Sequence, residues 1–296
     1  MTRRTVIILM FMASLFFALN GVFIKNVEAV SPVGIGLLRL IFAGIPFWLW
    51  CLMNGKARKE FSAGMTDWKA FALMGFFMAL LLITTAIGYT MTYVANAQSL
   101  NSISMFFMII LGPLVLGERV SKRDIGFMLV TFAGVVLVAG LDKLHLDPRF
   151  FQGDMISLLA SLVAALYSVS VRKTNVVRPF YVVMAWVFGL GVFWGLGIAL
   201  ALGLEVFVGA LKVWDVVNVL AVAFFGTFLA HTILNISLKK MRAEKVMTIV
   251  VLSSPMAYLF GGVVRGEWLS SWNLLGLLLV LVGVIGIIRS YGAERV

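Results

Sequence analysis

The chain has 296 residues, of which 62% are hydrophobic and 12% are charged, and its mean hydropathy is +1.05. Soluble domains carry roughly 25% charged residues, so this composition excludes a soluble globular protein and indicates an integral membrane protein. The net charge of +11 would suggest nucleic-acid binding only in a soluble chain, and no nucleic-acid partner is predicted.

Ten apolar segments of suitable length for membrane-spanning helices follow one another along the chain. A helix needs about 20 apolar residues to cross a bilayer, and clusters of glycine, proline and charge separate the segments. The first segment is longer than the apolar core of a signal peptide, so it is predicted to be a retained helix. The predicted spans are 5–26, 32–53, 70–91, 96–116, 125–141, 154–172, 180–202, 216–238, 246–264 and 273–289.

Basic residues are distributed unequally between the two sets of connecting loops. Eighteen lysines and arginines fall on the side that carries both termini, and five fall on the other side. Short loops rich in lysine and arginine stay in the cytoplasm. Both termini are therefore predicted to be cytoplasmic, in a multi-pass protein of the cell (inner) membrane.

The sequence repeats itself at a spacing of 147–149 residues, close to half its length. The segment ALNGVFIK at 18–25 corresponds to ALYSVSVR at 165–172, and Gly134 corresponds to Gly283. Self-similarity at a fixed spacing indicates a repeat architecture, here one of two similar halves.

Each half holds five predicted spans, an odd number, so the second half enters the membrane from the opposite side. This arrangement is an inverted repeat, which is typical of transporters with a binding site near the midplane. The predicted domains are residues 1–141 and 154–296, joined by an outer connecting loop at 142–153.

Short motifs recur in the same order in both halves. The first half carries NGVFIK at 20–25 and LGERVS at 116–121, and the second half carries ALYSVSVRK at 165–173 and RGE at 265–267. In these motifs the sequence resembles the EamA-type permeases of the drug/metabolite transporter (DMT) superfamily, over essentially the whole chain. The resemblance implies an all-α integral membrane protein with ten transmembrane helices in two inverted five-helix repeats, and it implies solute transport.

Charged residues inside the spans are candidates for a solute site, because a charge within a bilayer is costly. None of the thirteen acidic residues lies at the middle of a predicted span. This disfavours exchange of protons for cationic drugs and favours neutral, zwitterionic or anionic solutes. Arg39 lies about two turns inside its span, where it either anchors a carboxylate or phosphate or is a snorkelling or structurally paired arginine. Trp186 stands where the second half would mirror Arg39, so the halves are expected to differ at the cavity mouth.

His231 is the only histidine inside a predicted span, and Thr227 and Asn235 share its helix face. A polar stripe is costly against lipid, so this face is expected to turn toward a cavity or another helix. His231 is a candidate to carry a coupling proton, and interhelical hydrogen bonding is the alternative.

A central pocket between spans 3, 4, 8 and 9 is what the repeat symmetry and the family resemblance imply. Pro255 is expected to kink span 9, and the small residues of span 6, including Ser168, are assigned to helix packing. The predicted solute-binding residues are Asn20, Arg39, Thr85, Tyr89, Asn101, Ser104, Tyr167, Trp186, His231, Asn235 and Tyr258.

The leading interpretation is a secondary transporter of small organic metabolites such as amino acids, with export as the commoner direction in the family. Export of lipophilic drugs is the alternative. An intramembrane enzyme would need a convergent nucleophile, base or metal cluster, and the sequence offers none, so no catalytic residue, metal or cofactor is predicted. A GxxxxGK[ST] phosphate loop is also missing, which excludes ATP drive on this chain. Ten helices suffice to enclose a path, so a monomer is expected, with the lipid bilayer and a small-molecule substrate as its partners.

Overall fold

The structure is a computed structural model that describes residues 3–118, 120–139, 148–175, 178–265 and 271–293, and most of these residues are helical. Within these ranges, strand pairing is limited to an isolated bridge between Val30 and Phe207. The helices are α1 (Arg3–Lys25), α2 (Pro32–Met53), α3 (Gly55–Ala63), α4 (Trp68–Met91), α5 (Val94–Asn101), α6 (Ser104–Leu111), α7 (Lys122–Ala139), α8 (Pro148–Asn175), α9 (Phe180–Ala201), α10 (Val213–Ala223), α11 (Ala230–Leu238), α12 (Ala243–Val250), α13 (Ser253–Arg265) and α14 (Ser271–Ala293).

Eight helical segments among the described residues are long and apolar enough to cross a membrane. A shorter apolar run, Leu274–Ser290, lies within α14, and α7 occupies the position of the fifth predicted span. The multi-pass helical architecture is therefore confirmed. The eight segments are Arg4–Lys25, Pro32–Met53, Gly55–Met91, Asn96–Leu116, Phe150–Lys173, Phe180–Ala201, Val213–Leu238 and Ala243–Phe260.

Helix α8 begins earlier than the sequence predicted. It begins at Pro148, inside the predicted connecting loop 142–153, because proline is well accommodated in the first turn of a helix, where its missing N–H leaves no bond unmade. The remainder of that predicted loop, 142–147, lies outside the described residues.

Two helical spans that the sequence repeat relates are each interrupted about one third of the way along. The fourth predicted span is split between α5 and α6 at residues 102–103, and the ninth is split between α12 and α13 at residues 251–252. An offset of 149 residues relates the two breaks, which matches the spacing of the sequence repeat. Pro255 falls in the first turn of α13, just after the break, where a proline is tolerated.

Helices α7 and α14 pack closely through two glycines related by the repeat. A Cβ atom added to Gly134 would lie 2.6 Å from the Val280 nitrogen and 2.7 Å from the Gly276 carbonyl oxygen. A Cβ atom added to Gly283 would lie 2.7 Å from the Phe127 carbonyl oxygen. Each helix thus brings a glycine against the backbone of the other, a close approach that small residues permit.

Charged side chains from both halves meet at one end of the bundle, here called the charged end (Glu118, Asp124, Arg172 and Lys245). Arg172 donates to Glu118 Oε1 at 2.5 Å through Nε and to the Met241 carbonyl at 2.6 Å through Nη1. Lys245 Nζ lies 3.6 Å from Asp124 Oδ2, and both side chains are buried. These two ion pairs join the first half of the chain to the second.

A second set of contacts between the halves, here called the loop end, joins segment 26–31 to segment 203–215. The Asp215 carboxylate accepts hydrogen bonds from the backbone N–H groups of Glu28 at 2.8 Å and Lys212 at 3.0 Å. Lys212 Nζ donates to Glu28 Oε2 at 2.6 Å on the exposed surface. That hydrogen bond and the charge of Glu28 raise the pKa of the Lys212 ammonium group.

Candidate solute-binding cavity

A cavity of about 90 Å³ lies between helices of both halves. One water needs roughly 10–15 Å³, so the cavity can hold a cluster of waters or a small organic solute. Eight of the eleven predicted solute-binding residues line it: Asn20, Arg39, Thr85, Tyr89, Asn101, Ser104, Tyr167 and His231. Part of the remaining wall is apolar and includes Phe17, Leu81, Leu82, Leu234, Met247 and Val250.

The other three predicted residues lie away from this wall. Trp186 donates from its indole Nε1 to the Phe61 carbonyl at 3.0 Å and stacks on the Phe61 ring at a centroid distance of 4.7 Å. Asn235 lies behind the wall and donates to the His231 carbonyl at 2.7 Å. Tyr258 is buried in α13 beyond the break. Trp186, predicted to bind solute, is not among the residues that line this cavity, because α9 presents its ring to Phe61 of α3.

Arg39 is enclosed by the protein with 1% of its surface exposed, so its side chain does not snorkel to the surface. Its Nε donates to Thr227 Oγ1 at 2.9 Å. Thr227 lies in a π-helical turn, Phe224–Leu229, and its hydroxyl donates to the Val222 carbonyl at 3.1 Å. π-Turns are frequent at functional sites, and this one holds the guanidinium by one side and leaves its other side toward the cavity.

Four buried polar atoms of the wall have no hydrogen-bond partner among the described residues. They are Asn20 Oδ1, Arg39 Nη1, Asn101 Oδ1 and His231 Nδ1. Buried polar groups in native proteins are nearly always hydrogen-bonded, and leaving one unpaired costs about 1–3 kcal/mol. Arg39, Asn101 and His231 line the cavity, and their unpaired atoms are available to a molecule inside it. Asn20 Oδ1 instead lies against Gly226, where an added Cβ atom would overlap it.

His231 packs among aromatic rings. Its ring meets the rings of Phe17 and Tyr167 edge-on at centroid distances of 5.4 and 5.9 Å. The interhelical hydrogen bonding expected of this helix face comes from Asn235, whose Nδ2 lies 3.5 Å from Tyr167 Oη. Thr227 of the same face accepts a hydrogen bond from Arg39. Of the three polar residues on this face, His231 therefore lines the cavity, and Thr227 and Asn235 contact other residues of its wall.

Hydrogen bonds tie together the two broken spans beside the cavity. Gln98 Nε2 donates to Ser253 Oγ at 2.6 Å, and the Tyr89 hydroxyl donates to Gln98 Oε1. The hydroxyl groups of Ser102 and Ser254 lie 2.8 Å apart. The helix interruptions thus place polar side chains of α5 against those of α13, across the two halves of the chain.

Four polar residues of the wall were left out of the predicted set: Gln98, Ser102, Ser168 and Ser253. Gln98 and Ser102 belong to a visibly polar stretch at the start of the fourth span, which was the available signal for them. Ser168 was assigned to helix packing, and its Oγ does lie 3.4 Å from Met247 Sδ of a neighbouring helix. Symmetry was the available signal for Ser253, since the repeat offset of 149 residues maps Ser104 onto it.

Comparison with known proteins agrees with this architecture. The chain is 23% identical over 217 residues to "Uncharacterized transporter YcxC" of Bacillus subtilis (strain 168), which covers 70% of this chain and 69% of that protein. A solved crystal structure superposes with a TM-score of 0.75 at 16% sequence identity over 96% of each chain, which shows a shared fold. The EamA-like transporter family model matches residues 4–140 and again residues 151–289. The chain therefore belongs to the EamA-like transporter family, as its motifs predicted.

Proposed function

We propose that the protein is a secondary transporter of small organic metabolites, such as amino acids or related neutral, zwitterionic or anionic solutes. The observation that carries this proposal is the central cavity. Residues from both segments that match the family model, 4–140 and 151–289, line it. Arg39 is the one formally charged residue among the described lining residues. A buried guanidinium with an unpaired Nη1 is well suited to bind a carboxylate.

The proposed topology has ten membrane crossings in two inverted halves, with both termini in the cytoplasm. The protein is proposed to be a monomer in the cell (inner) membrane. Two observations support the inversion. The helix breaks at 102–103 and 251–252 are related by the half-chain offset, and Gly134 and Gly283 pack reciprocally. Inverted halves allow a transporter to open alternately toward each face around a fixed site.

Alternating access requires the two halves to separate at one end while they stay joined at the other. Ion pairs join the halves at both ends: Arg172 with Glu118 at the charged end, and Lys212 with Glu28 at the loop end. We propose that each set opens in turn. Export is the proposed direction because it is the commoner behaviour in the family.

Substitution of Arg39 by glutamine tests the proposed site. In proteoliposomes, Arg39→Gln is expected to reduce uptake of the anionic or zwitterionic solute by about 10- to 100-fold, because a hydrogen bond to a charged group contributes about 1.5–3 kcal/mol. Initial uptake rates for a panel of amino acids, carboxylates, nucleobases and lipophilic cations provide the measurement.

The matched control is Leu200→Ala, since Leu200 lies on the outer surface of α9 with 81% of its surface exposed. This control is expected to transport at the wild-type rate. If the wild type moves only lipophilic cations and Arg39→Gln has no effect, the metabolite proposal is wrong. The alternative, export of lipophilic drugs, then takes its place.

A further inference from the structure

The unpaired polar atoms of the cavity wall include more hydrogen-bond acceptors than donors. Arg39 Nη1 is a cationic donor, whereas Asn101 Oδ1 can accept a hydrogen bond, as can His231 Nδ1 when the ring proton is on Nε2. A complementary solute presents one anionic acceptor to the guanidinium and a neutral or charged donor to the two acceptors. A simple aliphatic acid would satisfy Arg39 and leave the acceptors unpaired.

The charge of the wall decides which kind of donor fits. The described lining residues include Arg39 and no carboxylate. A monocarboxylate therefore makes the occupied cavity neutral. When the carboxylate of a zwitterion pairs with Arg39, its ammonium group has no carboxylate of the wall as a partner. Burying an unpaired charge in a low-dielectric site is costly. A phosphate dianion would leave an unpaired negative charge for the same reason. Hydroxyl groups supply donors without adding charge.

The apolar part of the wall limits the rest of the solute. Leu81, Leu82, Leu234 and Val250 line the cavity together with the polar residues, so an apolar side chain on the solute would be accommodated there. Apolar walls with a few convergent polar groups are typical of small-molecule sites.

We infer that the cavity binds a small hydroxylated monocarboxylate, such as an α-hydroxy acid, in preference to the α-amino acid of the same shape. The carboxylate pairs with Arg39, and the hydroxyl donates its one hydrogen bond to the acceptor group formed by Asn101 and His231. This inference rests on the proposed function and narrows its substrate class.

Matched solutes test the inference on the wild-type protein in proteoliposomes at pH 7. The pairs are lactate with alanine and 2-hydroxyisocaproate with leucine, and isocaproate serves as the acid without a hydroxyl group. Half-saturating concentrations come from initial uptake rates, and thermal stabilisation of the purified protein gives a second readout. Each hydroxy acid is expected to half-saturate at a concentration at least tenfold lower than its amino acid, and 2-hydroxyisocaproate at one at least tenfold lower than isocaproate.

Asn101→Asp adds a negative charge to the wall and leaves the shape of the side chain nearly unchanged. It adds the missing carboxylate to the wall, so the preference is expected to shift at least tenfold toward the amino acids. Leu200→Ala is the matched control and is expected to keep the wild-type preference. Size-exclusion profiles and unfolding temperatures check that each variant is folded.

The outcomes separate the inference from the proposed function. If the wild type carries amino acids as well as or better than hydroxy acids, the inference is overturned and metabolite transport stands. If it carries none of these acids and moves lipophilic cations, the proposed function fails and the inference fails with it. Equal half-saturation by hydroxy acid and deoxy acid also overturns the inference, because the acceptor group then plays no part.

Discussion

Replacement of Gly134 by leucine is expected to lower the free energy of unfolding by about 3 kcal/mol or more. A Cβ atom at this position would lie 2.6 Å from the Val280 nitrogen and 2.7 Å from the Gly276 oxygen. Both are backbone atoms of α14, so relief requires the two helices to separate. Overpacking costs typically about 1–3 kcal/mol where side chains can adjust, and occasionally more.

Gly126 provides the control for this substitution on the same helix. A Cβ atom there would meet nothing within 4 Å, so Gly126→Leu is expected to be neutral or slightly stabilising, because glycine is a poor helix former. Thermal unfolding of the purified protein in detergent, followed by tryptophan fluorescence, compares the two. Gly283→Leu is expected to behave like Gly134→Leu. Equal unfolding temperatures for Gly134→Leu and Gly126→Leu would contradict the close approach of α7 and α14.

Hydropathy and the half-chain repeat predicted the positions of the helices, because the membrane requires long apolar segments whatever their tertiary contacts. The breaks at 102–103 and 251–252 were not predicted. The first break lies in the polar stretch 101–104, and the second lies just before Pro255, where a kink was expected, but neither feature by itself specifies a helix break. The local signal was weak, since the hydrogen bond between Gln98 and Ser253 joins residues 155 positions apart. Only the fold brings these two side chains together.

The candidate cavity was predictable to the extent that its residues are unusual inside an apolar span. Arg39 and His231 stand out for this reason, and the structure places both on the wall. Trp186 was inferred from symmetry with Arg39 alone. Its ring instead stacks against Phe61, because a large aromatic side chain is stabilised by packing against another ring and does not need a polar cavity. Ser168 was missed because small residues serve helix packing and polar lining alike.

Replacement of Lys245 by methionine is expected to destabilise the protein by about 3–5 kcal/mol, the usual cost of breaking a buried ion pair. Lys245 Nζ lies 3.6 Å from Asp124 Oδ2, with 0% and 1% of the side chains exposed. Neither carboxylate oxygen of Asp124 accepts a hydrogen bond from the described residues. Compensation of its charge therefore depends on the ammonium group, and the variant leaves a buried carboxylate unpaired.

The double variant Asp124→Leu with Lys245→Met separates this electrostatic cost from lost packing. Apolar residues of similar volume often replace a buried ion pair without loss of stability, so the double variant is expected to recover most of the unfolding temperature lost by Lys245→Met. The two single variants complete the cycle, and their coupling energy measures the pair. A double variant no more stable than Lys245→Met would show that the Asp124 charge is compensated elsewhere. Recovery would instead show that the unpaired charge of Asp124, and not lost packing, accounts for the cost of Lys245→Met, so that the pair joins α7 to α12 chiefly by mutual neutralisation.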